Sequence, residues 1–372
     1  MKILIIRPYP SYINLSDNSY NSQELGLAKS LIDLGFETDI VYFGKVNEKQ
    51  IVEYQEKSIA IYYLKPKFYF KSIAVYPNFD DLKEKYDILV CDEYDQIETY
   101  KTIKKYSNKT IIYHGTYYSS FNRNYNIYNK LFDILLLQKI KRINPCIFTK
   151  SKLSKNFLIE KGLEVREVVG VGLDSSALMD REINSNSYSK EENKDIKLLY
   201  IGKIEKRRNI FFLIKLLKDL NTNNSRDYIL TIIGDGKKSY IKKINKFIKK
   251  CQLDDKVKWI NKCSQNEISQ YYLNSDLFLL PTNYEIWGMV IMEAMYFNLP
   301  IITTKNGGSS VLVKDYINGN ISELDLQKWK YIIDNVKYNK KKIELKNKEL
   351  LKEKCDWRNI AEKVILYYQM MK

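Results

Sequence analysis

Glu285 and Glu293 stand with seven residues between them in the segment Pro281-Thr282-Asn283-Tyr284-Glu285-Ile286-Trp287-Gly288-Met289-Val290-Ile291-Met292-Glu293-Ala294-Met295. The apolar run Leu277-Phe278-Leu279-Leu280 before it has the makeup of a buried strand, and Pro281 stops it. A second apolar run begins at Leu299-Pro300-Ile301-Ile302 and gives way to Lys305-Asn306-Gly307-Gly308. The pattern predicts strand, loop, helix, strand, with both acids at the carboxyl end of the first strand, where open α/β sheets hold their ligands. Glu285 falls in the loop and Glu293 about a turn inside the helix. Gly288 lets a ligand approach the backbone, and the helix-start amides at Met289 and Val290 suit an anion. Carboxylates that accept hydrogen bonds from hydroxyls, beside amides that hold phosphate, suit a sugar nucleotide. The plainer reading of Glu293 is an exposed helical acid. Its apolar neighbours argue against that, because a buried acid needs a partner.

The segment resembles the E-x7-E motif of the retaining GT-B glycosyltransferases of family 4, which reads roughly E-G-F-G-x4-E-A. Ile286 and Trp287 depart from the usual Gly-Phe. The resemblance implies an α/β chain of the GT-B class, with two Rossmann-like domains facing each other across a cleft. Residues 1–173 would form an acceptor domain and residues 174–352 a nucleotide-sugar donor domain. Residues 353–372 would form a closing helix that packs back on the first domain.

Other segments carry the same resemblance. Gly202-Lys203-Ile204-Glu205-Lys206-Arg207-Arg208-Asn209 resembles the family's G-R-L-x3-K-G, with Lys203 and Arg208 on its two basic positions. The family role implied is a pair of fixed cations that stabilise the departing nucleoside diphosphate. The plainer reading is a solvated basic helix start, which the helix dipole disfavours. Gly234-Asp235-Gly236 matches a turn that lines the nucleotide, and Val257–Cys263, which includes Lys262, aligns with the turn that holds the base. By the same resemblance Glu293 takes the ribose hydroxyls and Glu285 faces the donor sugar. His114, the single histidine, closes Ile111-Ile112-Tyr113-His114-Gly115, where the family commonly has a histidine that contacts the donor sugar. The plainer reading is a surface histidine with no task. Asp92, Glu93 and Asp95 at another strand end offer contacts to an acceptor.

The resemblance implies retaining, metal-independent transfer of a hexosyl or N-acetylhexosaminyl unit from a UDP sugar to a surface-glycan acceptor, either free or linked to a polyprenyl lipid. No cofactor beyond the donor substrate is expected, and no D-x-D metal motif occurs. Two alternatives stand beside it. One is another sugar-nucleotide enzyme on this scaffold, an epimerase or a phosphorylase, which would need more proton-transfer groups or a cofactor lysine. The other is a non-catalytic anion-binding or membrane-binding protein, which the presence of both glutamates disfavours.

Composition sets the bounds. At 372 residues, 45% hydrophobic and 28% charged, the chain can build two cores. No apolar run approaches the roughly 18 to 20 residues of a membrane span. The start, Met1 to Arg7, reads as a first strand rather than a signal peptide. Five scattered cysteines without C-x-x-C spacing point to a reduced, cytoplasmic chain with no zinc site. The net charge of +16 favours anionic partners or reflects a Lys-rich composition. No nucleic-acid-binding signature is present. Residues 129–142 are apolar on one side and basic at the end. Residues 65–71 mix lysines with aromatics. Both could touch the inner face of the cytoplasmic membrane, and the plainer readings are a core helix and an ordinary loop. Alternating strands and helices predict parallel sheets, with strands near 3–6, 37–43, 58–63, 88–91, 110–113, 146–149, 197–202, 228–233, 257–260, 277–280 and 300–303. The polar stretch 180–195 is expected to be exposed.

Overall fold

The computed structural model describes residues 1–13, 22–175, 178, 195–222, 226–261 and 263–371. Most of the polar stretch expected to be exposed, 180–194, lies outside the described residues, as do Lys262 and most of the loop after the first strand. The chain divides into two compact units: Met1–Asp174 with Lys354–Lys372, and Ser175–Glu353.

The first unit is built on β1 (Lys2–Ile6), β2 (Glu37–Phe43), β3 (Glu48–Tyr54), β4 (Lys57–Leu64), a small separate hairpin of β5 (Phe68–Phe70) and β6 (Ile73–Val75), then β7 (Ile88–Asp92), β8 (Thr110–His114), β9 (Cys146–Thr149) and β10 (Glu167–Val168). The main sheet runs β10-β9-β8-β7-β1-β2-β4-β3. Its pairs are parallel except β3 on β4. Central strands are continuous apolar runs because helices cover both faces. Ile3, Leu4, Ile5 and Ile6 are all buried. The antiparallel β3 departs from the parallel expectation. Its Glu-Lys-Gln-Ile-Val-Glu-Tyr sequence is half exposed, as an edge strand's is, and gives no apolar run to read.

Residues 65–71 are not an ordinary loop. They enter the β5–β6 hairpin, whose Phe68, Tyr69 and Phe70 are all exposed. The tail returns to this unit. Helix Trp357–Met371 packs on helix Gln23–Asp33, the Leu173 amide donates to the Cys355 carbonyl at 2.9 Å, and Tyr367 meets Phe148 edge-on at 5.0 Å.

The second unit is a six-stranded, wholly parallel sheet. It comprises β11 (Ile196–Ile201), β12 (Tyr228–Ile233), β13 (Val257–Ile260), β14 (Leu277–Leu280), β15 (Ile301–Thr303) and β16 (Gly319–Ile321), in the order β13-β12-β11-β14-β15-β16. Every strand expected from the alternation is present to within a residue or two. The order reverses between β11 and β14, so the loops after these two strands meet at a topological switch point.

Candidate active site

In the second unit, the loops after β11 and β14 are stitched together. The Asn283 amide donates to the Arg207 carbonyl at 2.8 Å, and Asn209 Nδ2 donates to the Pro281 carbonyl at 2.9 Å. Glu285 lies in the β14 loop with 15% of its side chain exposed. Its carboxylate pairs with Arg208 Nη2, and Arg207 Nη1 lies 3.5 Å away. Arg208 is 8% exposed, and its Nε and Nη1 have no hydrogen-bond partner among the described residues. Burial opposes the Arg208 charge, but Glu285 outweighs it and raises the guanidinium pKa. A solvated basic helix start is therefore not what this segment forms. Lys206–Arg208 is a short 3₁₀ turn that tucks Arg208 inward. Lys203 differs: it is exposed and makes no ion pair among the described residues. The family-derived pair thus consists of one buried and one solvated cation.

Glu293 lies in helix Met289–Tyr296 and is 4% exposed. The partner that its burial demands is Tyr272, whose hydroxyl donates to Oε2 at 2.8 Å. Burial raises the Glu293 pKa, with Tyr272 opposing. Gly288 caps the helix at φ +86°, a backbone state costly for other residues, and no side chain caps the helix start. The Met289 and Val290 amides precede the first helical bond, which runs from the Ile291 amide to the Gly288 carbonyl at 2.9 Å. Gly234 ends β12 against Gly202 and serves close strand packing there. Gly308 holds the Glu285 loop from below: a Cβ on it would fall 1.7 Å from the Trp287 carbonyl oxygen.

In the first unit, a polar cluster gathers at the carboxyl ends of the parallel strands. Arg7 follows β1 and pairs with Glu24 at 3.3 Å, and Lys150 follows β9 and pairs with Asp92 at 3.4 Å. Burial pushes the Asp92 carboxyl up to about 7, Lys150 opposing and Glu24 and Glu93 adding to it. His114 is fully buried. Its ring packs beside Tyr94 (5.1 Å) and Phe157 (5.7 Å), and Nδ1 lies 2.7 Å from Glu93 Oε2. It is neither a surface histidine nor, within this unit, open to a ligand, because these aromatic rings cover it. Glu93 itself has φ +60°, a strained state that turns its side chain onto the β8 end. Its carboxylate accepts from the Gly115 and Thr116 amides and from Thr116 Oγ1 at 2.8 Å. Burial works to raise its pKa, but His114, Lys150 and Thr116 hold it at about 2.

Glu93, Asp95 and His114 are the group among the described residues that could hold a metal ion, their ligand atoms lying within 4.8 Å of one another. Glu93 Oε2 already has three hydrogen-bond donors as well as the imidazole, so the donor set fits a charge-compensated hydrogen-bond cluster better than a cation cage. A recess of about 420 Å³, lined by Glu84, Tyr86, Asp87, Asn108 and Lys109, lies at the amino ends of the strands, away from this chemistry.

The model of the family described as glycosyl transferases group 1 matches residues 180–342. The likeness to that family thus spans a little under half of the chain. The matched stretch holds Lys203, Arg208, Gly234, Lys262, Glu285, Gly288, Met289, Val290 and Glu293, and His114 falls outside it.

Similar proteins extend the likeness to the whole chain. An uncharacterized glycosyltransferase of Methanocaldococcus jannaschii is 20% identical over 93% of this chain and 92% of its own. A 41.2 kDa protein in the cps region of Klebsiella pneumoniae is 23% identical over 47% of this chain, and the match spans 46% of that relative. The chain thus aligns with under half of some curated relatives and with nearly all of others. Among solved structures, sucrose-phosphate synthase from Thermosynechococcus elongatus superposes with a TM-score of 0.72 at 14% identity, covering 100% of this chain and 98% of that one. HepE of Anabaena, in complex with UDP, gives 0.66 at 14% identity over 100% of both chains. The fold is GT-B.

Arg207, Tyr272, Lys150 and Glu24 escaped the sequence reading. Lys150 stands directly after a strand end, a signal that was there to use. Tyr272 sits in the last turn of helix Gln265–Leu273, with nothing in the sequence to mark it.

Proposed function

We propose that this chain is a retaining, metal-independent glycosyltransferase that moves a hexosyl or N-acetylhexosaminyl unit from a UDP sugar to a surface-glycan acceptor carried on a polyprenyl lipid. The observation that carries the reading is Arg208. It is a buried guanidinium at the switch point of the second unit, whose Nε and Nη1 have no acceptor among the described residues. Buried donors of that kind are costly unless an anion completes them. A diphosphate held there, by Lys203 from the solvent side and by the Met289 and Val290 amides, would gain most as the glycosidic bond breaks and negative charge grows on it. Glu293 would accept the ribose hydroxyls in place of the Tyr272 hydroxyl, and Glu285 would bind the transferred sugar. The leaving phosphate would take the acceptor proton, so no separate carboxylate base is required.

The UDP reading draws on HepE, solved in complex with UDP, and the surface-glycan reading on the cps-region relative and on the structural neighbour WaaB, a lipopolysaccharide outer core galactosyltransferase. Among the described residues no helix is long and apolar enough to cross a membrane. As a separate part of the same reading we propose a cytoplasmic chain, peripheral to the membrane that carries its acceptor. The test is a panel of nucleotide sugars with detection of slow donor hydrolysis. Release of UDP from one of them, abolished in Glu285→Ala, supports the reading. Hydrolysis of none, with no nucleotide binding in calorimetry, sinks it.

A further inference from the structure

The helical run from Arg123 to Ile143 has two apolar faces where a surface helix has one. Its inner face buries Tyr125, Phe132 and Ile140, with Leu136 and Leu137 packed on the same core. Its outer face carries Ile127, Leu131, Ile134 and Leu135, which are 60%, 57%, 79% and 70% exposed. Their spacing is that of one helix face. A π-helical turn over Asp133–Leu137 lies in the middle. This wider turn shares out the four consecutive apolar residues 134–137, two to solvent and two to the core. Phe121, 60% exposed, stands just before the helix.

The charges along this run have one sign on the outside. Arg123, Lys130, Lys139 and Arg142 are exposed, and the single acid, Asp133, is turned inward to Lys161 and to the Tyr94 hydroxyl at 2.8 Å. A bare apolar stripe edged with cations marks an interaction surface. A second copy of this chain would bring like charges together across a two-fold axis, against a net charge of +16. A bilayer rich in anionic lipid complements both the stripe and its edges.

We propose that the outer face of the Arg123–Ile143 helix docks on an anionic bilayer surface, with Ile127, Leu131, Ile134 and Leu135 entering the headgroup layer. The proposal rests on the glycosyltransferase reading for its purpose alone, since a polyprenyl-linked acceptor resides in such a bilayer.

The experiment is sedimentation of the full chain with phosphatidylcholine vesicles, with and without phosphatidylglycerol. The expected result is binding to the anionic vesicles, weakened by about tenfold or more in high salt and in an Ile134→Asp, Leu135→Asp double variant. Both positions face solvent, so the variant should melt like the parent; Ile134→Ser with Leu135→Ser is the milder form if it does not. Absence of binding, or binding unchanged in the variant, overturns the proposal. So does a dimer in solution that the variant dissolves, which would assign the face to a second copy. Donor hydrolysis without vesicles reports separately on the enzymatic reading and should be the same in both proteins.

Discussion

Arg208 and Lys203 differ in what surrounds them, and their variants should differ accordingly. Lys203→Ala removes an exposed cation that makes no ion pair among the described residues. It should leave the melting curve in place while slowing UDP release from the donor. Arg208→Ala strips Glu285 of its buried counter-ion, so it should lose activity and about 3 kcal/mol of stability in a denaturant titration. Adding Glu285→Gln to that variant should restore much of the stability and none of the turnover. Glu293 makes a second prediction. Glu293→Ala should weaken donor binding by about 1.5 to 3 kcal/mol in calorimetry. Burial raises the Glu293 pKa in the free protein, and ribose hydroxyls bind the ionised form. At a pH low enough to protonate Glu293 in the free protein, binding expels that proton, so donor affinity should fall on acidification through the raised pKa. Glu293→Gln should lack that component of the pH profile; an identical profile would remove the ribose role.

The loop that presents Glu285 depends on what lies beneath it. Gly307 and Gly308 leave no room for a side chain against the Ile286 and Trp287 carbonyls. Gly308→Ala should shift the loop, cost about 1 to 3 kcal/mol and depress turnover more than nucleotide affinity, as separate kcat and KM measurements would show. This packing could not be read from the chain, although the Gly-Gly pair itself could. The same split holds elsewhere. The parallel strands were legible because burial on both faces makes them unbroken apolar runs. The edge strand Glu48–Tyr54 was not, because half its residues meet solvent. Glu285 and Glu293 were legible from spacing. The ion pair with Arg208 and the hydrogen bond from Tyr272 were not, because each joins elements whose approach only the folded sheet decides. His114 was found by its strand-end place, but its burial depends on Tyr94 and Phe157 from other elements.

At the scale of the molecule the prediction concerns stereochemistry. A leaving phosphate that takes the acceptor proton draws the acceptor onto the face the phosphate itself vacates, so the product should keep the donor's anomeric configuration. Coupling constants from NMR of the product decide this, and an inverted linkage would redirect attention to Asp92 and Glu93. Turnover should also survive a chelator, since fixed cations neutralise the diphosphate; an absolute need for a divalent ion in the chemical step would contradict this.

The return of helix Trp357–Met371 to the first unit bears on how the protein is made. A ribosome releases about 180 residues between Asp174 and Lys354, the two points where the first unit breaks off and resumes. At roughly 5 to 20 residues per second, that interval is of the order of ten to forty seconds. The second unit is contiguous and can close within it. The first, begun earlier, must wait with its Gln23–Asp33 helix lacking the partner that covers it. Birth order and completion order are thus reversed, and the nascent first unit is the part of the chain with most need of a chaperone.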